Sequence, residues 1–403
     1  HKILRLRIGN NVDRGPGSWV FNNTLLNDID FCNKMVSEIR ESESIKYTYT
    51  SKRVFWDYLK MNMQSVAIQY SSEKSKEKRH TLYKINRELE ELERIPTNLL
   101  SEYSQLKIES IKKQLSNFEK EKIEGMKLRS KIPSHDFGEP NITFLSRLEK
   151  VRGELNTIYS LKDENGVVKS DIESLLEIVK QFYKKLYTKE DECEMEQDRF
   201  LSRVSKRLTR HDKEELDKEL GEDELYDSLK QLKKQKSPGL DGLTVEFMLH
   251  FWGYIKDHYK DSLTETKETK ELSETQKRGA IRIGFKKRNR DELENYRPIT
   301  LLNVDLKIIS NALAKRLANV LPKLVHNCQK ALPGRIITDN IHTVQDLINL
   351  INKNGDSAAI LFYDQEKAFD RMSHKFIIKT LRKFGFGENF IDWVKILMND
   401  IKS

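Results

Sequence analysis

Leu82, Ile85, Leu89 and Leu92 stand three, four and three residues apart, and Ile108, Ile111, Leu115 and Phe118 resume the stripe. Both are the apolar face of an amphipathic helix. Pro96-Thr97-Asn98 separates them, so the pair reads as a helical hairpin or short coiled coil. Ile172, Leu175, Leu176, Val179, Phe182, Tyr183 and Leu186 mark a further amphipathic helix. Ile309, Leu313, Leu317, Leu321 and Leu324 make another apolar face, and Phe376, Ile377, Leu381 and Phe384 make one more, closed by Gly385 as a C-cap. These stripes read as core.

Four stretches leave the helical period. Thr157 to Val168, with Asp163-Glu164-Asn165-Gly166 at its centre, reads as a β-hairpin with an Asn-Gly turn. Ala358 to Tyr363 is a short continuous apolar run with the length and flanks of a buried strand. Residues 1 to about 30 read as a strand followed by a Gly/Pro turn. Lys131 to Pro140, with Pro133 and Pro140, reads as a loop. Mostly helices with a few strands make the expected fold class α+β.

The chain has 403 residues, 72 Lys and Arg against 63 Asp and Glu, and a net charge of +9. That length allows two to three domains. The basic balance points to a polyanionic partner. Between residues 50 and 130 the abundant Lys, Glu and Arg are expected on a solvated face, and Lys74-Ser75-Lys76-Glu77-Lys78-Arg79 is the part able to touch phosphates. Cys32, Cys193 and Cys328 are scattered and odd in number, which suits neither a disulfide frame nor a zinc site. No apolar run approaches the length of a membrane span and no secretory signal opens the chain, so an intracellular place, nucleus or cytoplasm, is expected.

Asp364 follows the run Ala358–Tyr363 at once, and a carboxylate at a strand end suits a hard divalent cation. An isolated Asp is equally an ordinary solvated turn residue. Five residues on, Phe369 stands within Ala368-Phe369-Asp370. The whole pattern resembles motif A of a reverse transcriptase palm. Three stretches upstream, in order, resemble the polymerase of LINE-type non-LTR retrotransposons. They are Lys236-Ser237-Pro238-Gly239-Leu240-Asp241-Gly242; then Gln276-Lys277-Arg278-Gly279 with Lys286-Lys287 and Asn295-Tyr296-Arg297-Pro298-Ile299-Thr300-Leu301-Leu302-Asn303; then Gln329 through Pro333-Gly334-Arg335 to Asp339-Asn340-Ile341. Phe384-Gly385-Phe386-Gly387 and Phe390-Ile391-Asp392-Trp393 continue the match. At the other end, Arg14-Gly15-Pro16-Gly17-Ser18-Trp19-Val20-Phe21-Asn22-Asn23 resembles the exit from the apurinic-type endonuclease that precedes this polymerase. His1 would then be a catalytic histidine stripped of its site, or simply an arbitrary truncation point.

The resemblance implies an endonuclease tail over residues 1–30 and a helical, charged linker over 31–150. An N-terminal extension of the polymerase would occupy 151–230, and the fingers and partial palm of a right-hand polymerase 231–403. It implies an RNA template, a DNA primer and dNTP as partners, and no membrane. It assigns Asp364 as the first ligand of a two-Mg²⁺ site, which would serve an in-line displacement at phosphorus. Arg297, Lys286 and Lys287 would grip the triphosphate, a guanidinium being able to bridge two phosphate oxygens. Phe369 would lie beneath the incoming sugar, and Asp370 would cap the following helix. Lys233, Lys234, Lys236 and Arg335 would line a template groove. The chain departs from the pattern in holding no Asp-Asp dipeptide, in a one-residue deficit between Gln329 and Pro333, and in Gly284-Phe285 ahead of Lys286 where a Pro is usual. It therefore reads as a fragment or decayed copy, its metal site incomplete and its catalysis absent when alone. A nucleic-acid-binding remnant without chemistry and a helical scaffold are the competing readings.

Overall fold

In the computed structural model, residues 17–96, 101–130, 142–188, 192–365 and 367–402 are described. The expected strand and turn up to Pro16, His1, and the loop Lys131–Pro140 lie outside them. In chain order come α1 (Ile29–Ser44), α2 (Lys52–Glu93), α3 (Glu102–Ser130), α4 (Ile142–Leu155), β1 (Leu161–Lys162), β2 (Val168–Lys169), α5 (Ile172–Tyr187) and α6 (Glu194–Ser202). Then follow α7 (Arg210–Asp217), α8 (Glu222–Gln231), α9 (Val245–Thr269), β3 (Ala280–Phe285), β4 (Tyr296–Leu301), α10 (Val304–Leu324), α11 (Thr338–Asn354), α12 (His374–Phe384) and α13 (Glu388–Met398). The chain is mostly helical, and its described strands form two two-stranded sheets, β1 with β2 and β3 with β4.

Two compact units result. One comprises Val66–Lys185 and Ile283–Ile299. Here α2 and α3 form the expected hairpin, with Ile85 and Ile111 buried. Cross-helix pairs join the two: Lys78 with Glu121, Lys107 with Glu88, and Lys112 with Glu93 at 3.2 Å. The β1–β2 hairpin turns as expected. Asp163 Oδ1 accepts from the amides of Asn165 and Val167, both at 2.9 Å, and Gly166 takes φ +78°. Positive φ is nearly free for glycine and costly for other residues.

The other unit comprises the residues up to Ser65, Leu186–Arg282, and those from Thr300 on. Its core is aromatic. Phe21 meets Phe31 at 5.7 Å and Phe247 at 4.8 Å between ring centroids, and Phe247 meets Phe251 at 4.8 Å. Rings this close gain beyond their buried area. α10 buries Ile309, Leu313 and Leu324 as its stripe requires. α12 ends at Gly385, φ +86°, where the amides of Gly385 and Phe386 bond to Arg382 and Leu381 carbonyls in a left-handed cap. Ser373, rather than Asp370, caps the start of α12, its hydroxyl accepting from the Phe376 amide at 3.2 Å.

The run Ala358–Tyr363 is not a strand. It has no regular structure and lies exposed, Phe362 at 91% and Tyr363 at 90%. A lone strand leaves its amides and carbonyls unpaired, and no described segment offers this run an edge. The amphipathic α11 just before it buries none of its residues.

Candidate functional site

The β3–β4 hairpin presents the cations. Alternation along a strand puts Gly284 and Lys286 on one side of β3's path, and Arg297 and Ile299 on one side of β4. Gly284 faces that second pair: a Cβ on it would stand 3.5 Å from Ile299 Cδ1 and 3.8 Å from the Arg297 carbonyl. The Lys286 amide bonds to the Asn295 carbonyl at 2.9 Å and closes the loop. Lys286, Lys287 and Arg297 are exposed, with no ion pair among the described residues. The loop is fixed from behind. The Lys162 amide donates to the Asp291 carbonyl at 2.7 Å, Ser160 Oγ to Asp291 Oδ1 at 2.6 Å, and Arg290 to the Leu155 carbonyl at 2.9 Å. The cations therefore sit on an anchored hairpin, Lys286 and Lys287 in its loop and Arg297 in β4, and are exposed to solvent.

Asp364 stands in the extended run after Tyr363, exposed and without hydrogen bond or ion pair among the described residues. Phe369 follows in a turn and is 99% exposed, so it is not part of a core. Asp370 Oδ1 accepts from Tyr187 at 3.3 Å. Among the described residues no three His, Cys, Asp or Glu side chains converge as metal ligands. Asp364 alone does not make a magnesium site.

Of the groove candidates, Lys233, Lys234 and Lys236 are exposed in the loop after α8. Arg335 is engaged otherwise. It donates to the carbonyls of His326 (2.7 Å), Gln329 (2.9 Å), Val325 (3.1 Å) and Pro322 (3.2 Å), and so closes the C-terminal end of α10. The cluster around Lys78 is partly engaged too, Lys78 lying over the Phe118 ring and beside Glu121.

The segment Lys236–Gly242 builds something else. Gly239 has no room for a Cβ, which would overlap Asn303 and lie 2.6 Å from the Leu302 carbonyl carbon. Gly242, φ +69°, lies against Trp19, and its carbonyl accepts from the Phe21 amide at 2.9 Å. Asn303 joins the pieces, its Oδ1 accepting from the Asp241 amide at 3.3 Å and its Nδ2 donating to the Thr275 carbonyl at 2.9 Å. Beneath them lies a buried ionic node. Lys60, 2% exposed, reaches Asp305 Oδ2 at 2.7 Å and Thr275 Oγ1, with Asp57 at 3.7 Å and Asp241 at 3.8 Å. Asp305, 1% exposed, also accepts from Trp56 Nε1 at 2.8 Å, Gln276 Nε2 at 3.1 Å and the Leu306 amide at 2.8 Å. Burial works against the Asp305 carboxylate, but the Lys60 charge and these donors outweigh it and hold the carboxyl below its usual range. Asp241, with fewer donors, is pushed by burial up to about 6, despite Lys60.

Residues 285–402 match the family described as reverse transcriptase (RNA-dependent DNA polymerase). Over 399 residues, 98% of its length, the chain is 31% identical to the transposon TX1 uncharacterized 149 kDa protein of Xenopus laevis. The chain carries LINE-type reverse transcriptase sequence. It spans 30% of the length of that relative. The reverse transcriptase match begins at Phe285, so Trp56, Lys60, Asp241 and Thr275 all stand ahead of it while Asp305 stands within. The node thus ties reverse transcriptase sequence to residues on its N-terminal side. Sequence reasoning missed Lys60, Trp56 and Asp305. A signal was present: Phe55, Leu59 and Met63 form a stripe, and Lys60 follows Trp56 by four, one residue beside that stripe. No helix is long and apolar enough to cross a membrane, among the described residues.

Proposed function

We propose that this chain is the fingers and partial palm of a retrotransposon RNA-directed DNA polymerase, with its N-terminal extension and linker. In this reading it supplies the surface that grips the incoming nucleotide and the first metal carboxylate. The observation that carries the proposal is the anchored hairpin with Lys286, Lys287 and Arg297 free of carboxylate partners among the described residues, at the point where the reverse transcriptase match begins. Phosphoryl transfer asks chiefly for positioning and for neutralisation of developing charge. Arg297 offers a planar fork to two phosphate oxygens, and the two lysines offer mobile point charges. Asp364 would be one carboxylate of a divalent-ion site whose other ligands are not among the described residues. Magnesium there would neutralise triphosphate charge. The polyanionic template would run past Lys233, Lys234 and Lys236, held by its phosphates and therefore salt-sensitive.

The test is dNTP binding by the purified chain. Arg297→Ala should weaken it at least tenfold, about 1.4 kcal/mol. An unchanged affinity would remove the hairpin from the nucleotide site. The competing reading, a nucleic-acid-binding remnant, keeps RNA binding but shows no dNTP affinity at all. Primer extension on an RNA template with Mg²⁺ should yield no product from the 403-residue chain alone, and template-dependent product would sink that expectation.

A further inference from the structure

A cleft of about 640 Å³ opens between α12, α13 and the end of α9. Lys375, Lys379 and Arg382 line it from one face of α12, spaced four and three residues apart. Lys395 on α13 and Lys270, the left-handed C-cap of α9, line it from across. Against these five cations it has two carboxylates, Glu194 and Asp392. Ile378, Ile396 and Met398 supply its apolar lining. Lys375 has no carboxylate partner among the described residues. The others are paired at the surface: Lys379 with Asp198 at 3.3 Å, Arg382 with Glu388 at 3.3 Å, and Lys270 and Lys395 both with Asp392 at 2.9 Å. Fully exposed pairs hold by about 1 kcal/mol or less, and these partly exposed ones remain open to solvent, so a polyanion can displace them.

We propose that this cleft binds the sugar-phosphate backbone of a single nucleic-acid strand. The row from Lys375 to Arg382 is roughly 10 Å long at helical rise. That is long enough to meet more than one phosphate of a single strand. The apolar lining suits the faces of unpaired bases, which an acidic peptide lacks. The site is separate from the loop of Lys233 and Lys234. It rests on the polymerase reading only for its choice of ligand and not on Asp364.

The experiment is fluorescence anisotropy of the 403-residue chain with labelled oligo(U) and oligo(dT), across a salt series. Lys375→Glu/Lys379→Glu should weaken oligo(U) binding at least tenfold. It should also flatten the slope of log affinity against log salt by about 1.4, two phosphate contacts at ~0.7 each. Equal loss on oligo(dT) means that phosphate alone is read, and loss on oligo(U) alone adds the 2′-hydroxyl. Both outcomes support the cleft. Lys375→Gln/Lys379→Gln, which adds no repulsion, should lose the same slope with an unchanged unfolding midpoint. Lys233→Glu/Lys234→Glu reads the loop by itself. If that variant loses the RNA while both α12 variants keep it within twofold, the cleft is not a nucleic-acid site and the loop assignment survives. If polyglutamate binding alone is lost in the α12 variants, the cleft takes acidic peptide and the proposal is overturned.

Discussion

A single lysine on α2 faces three aspartates. Lys60 is held because its charge is spent on Asp305, Asp57 and Asp241 where water does not reach. Removing one partner from a buried pair leaves the other uncompensated, at a cost of about 3–5 kcal/mol. Lys60→Ala should therefore lower stability by about that much, read as the urea midpoint. A loss under about 1 kcal/mol would show that water enters the node. Asp241 gives a pH signature. Its folded carboxyl titrates at about 6, above the usual 3.8, so the folded chain binds that proton more tightly than the unfolded chain. Stability from this group is present at low pH and falls as pH rises from about 4 to about 6. Asp305 acts oppositely, its contribution being lost as pH falls below about 4. Asp241→Asn should flatten the dependence between about pH 4 and 6 while leaving the acid limb. An unaltered profile would assign the slope to another group.

At the scale of elements, the α2–α3 pair, α5, α10, α12 and the β1–β2 hairpin were legible, because their signals are local, whereas α9, the longest helix of the aromatic core, carried no stripe that was read. Ile309, Leu313 and Leu324 repeat with the helix period, and Asp163 to Gly166 carry their own turn chemistry. The left-handed cap at Gly385 was legible for the same reason. What was not legible depends on partners distant in sequence. The run at 358–363 has strand composition, but a strand exists only beside another. Asp370 looked like a cap, whereas Ser373 stands where the first amides of α12 can reach it. The residues that the motif order singled out lie on one hairpin, Lys286 and Lys287 just after β3 and Arg297 in β4. Arg335 was harder, since its carbonyl partners come together only when α10 ends and the chain turns back. Gly239 shows the same dependence. Its requirement comes from Asn303, which lies beyond the whole β3–β4 hairpin. Gly239→Ala should cost about 1–3 kcal/mol through overpacking, with circular dichroism retained and the thermal midpoint lowered. An unshifted midpoint would mean that Asn303 yields freely.

For the whole molecule, the reverse transcriptase match leads to one expectation about the sugar. In a longer chain that extends primers on RNA, Phe369→Val should raise ribonucleotide over deoxyribonucleotide incorporation at least tenfold, about 1.4 kcal/mol in the transition state. Competitive single-nucleotide extension measures it, and an unchanged ratio would take Phe369 out of the sugar site. In the same chain Asp364→Asn should abolish extension and leave RNA affinity near intact.

The exposed run Ala358-Ala359-Ile360-Leu361-Phe362-Tyr363 has a consequence of another kind. It is six residues of uncharged, β-prone, proline-free sequence in no strand pairing among the described residues. Such a segment is a template for its own copy in a neighbouring molecule. Self-association should therefore limit how the chain can be handled: it should form thioflavin-positive assemblies as concentration rises, well below its unfolding temperature. Leu361→Lys places a gatekeeper charge in the middle of the run. It should delay assembly severalfold and leave the unfolding midpoint where it was, because Leu361 supports no packing that the fold would miss.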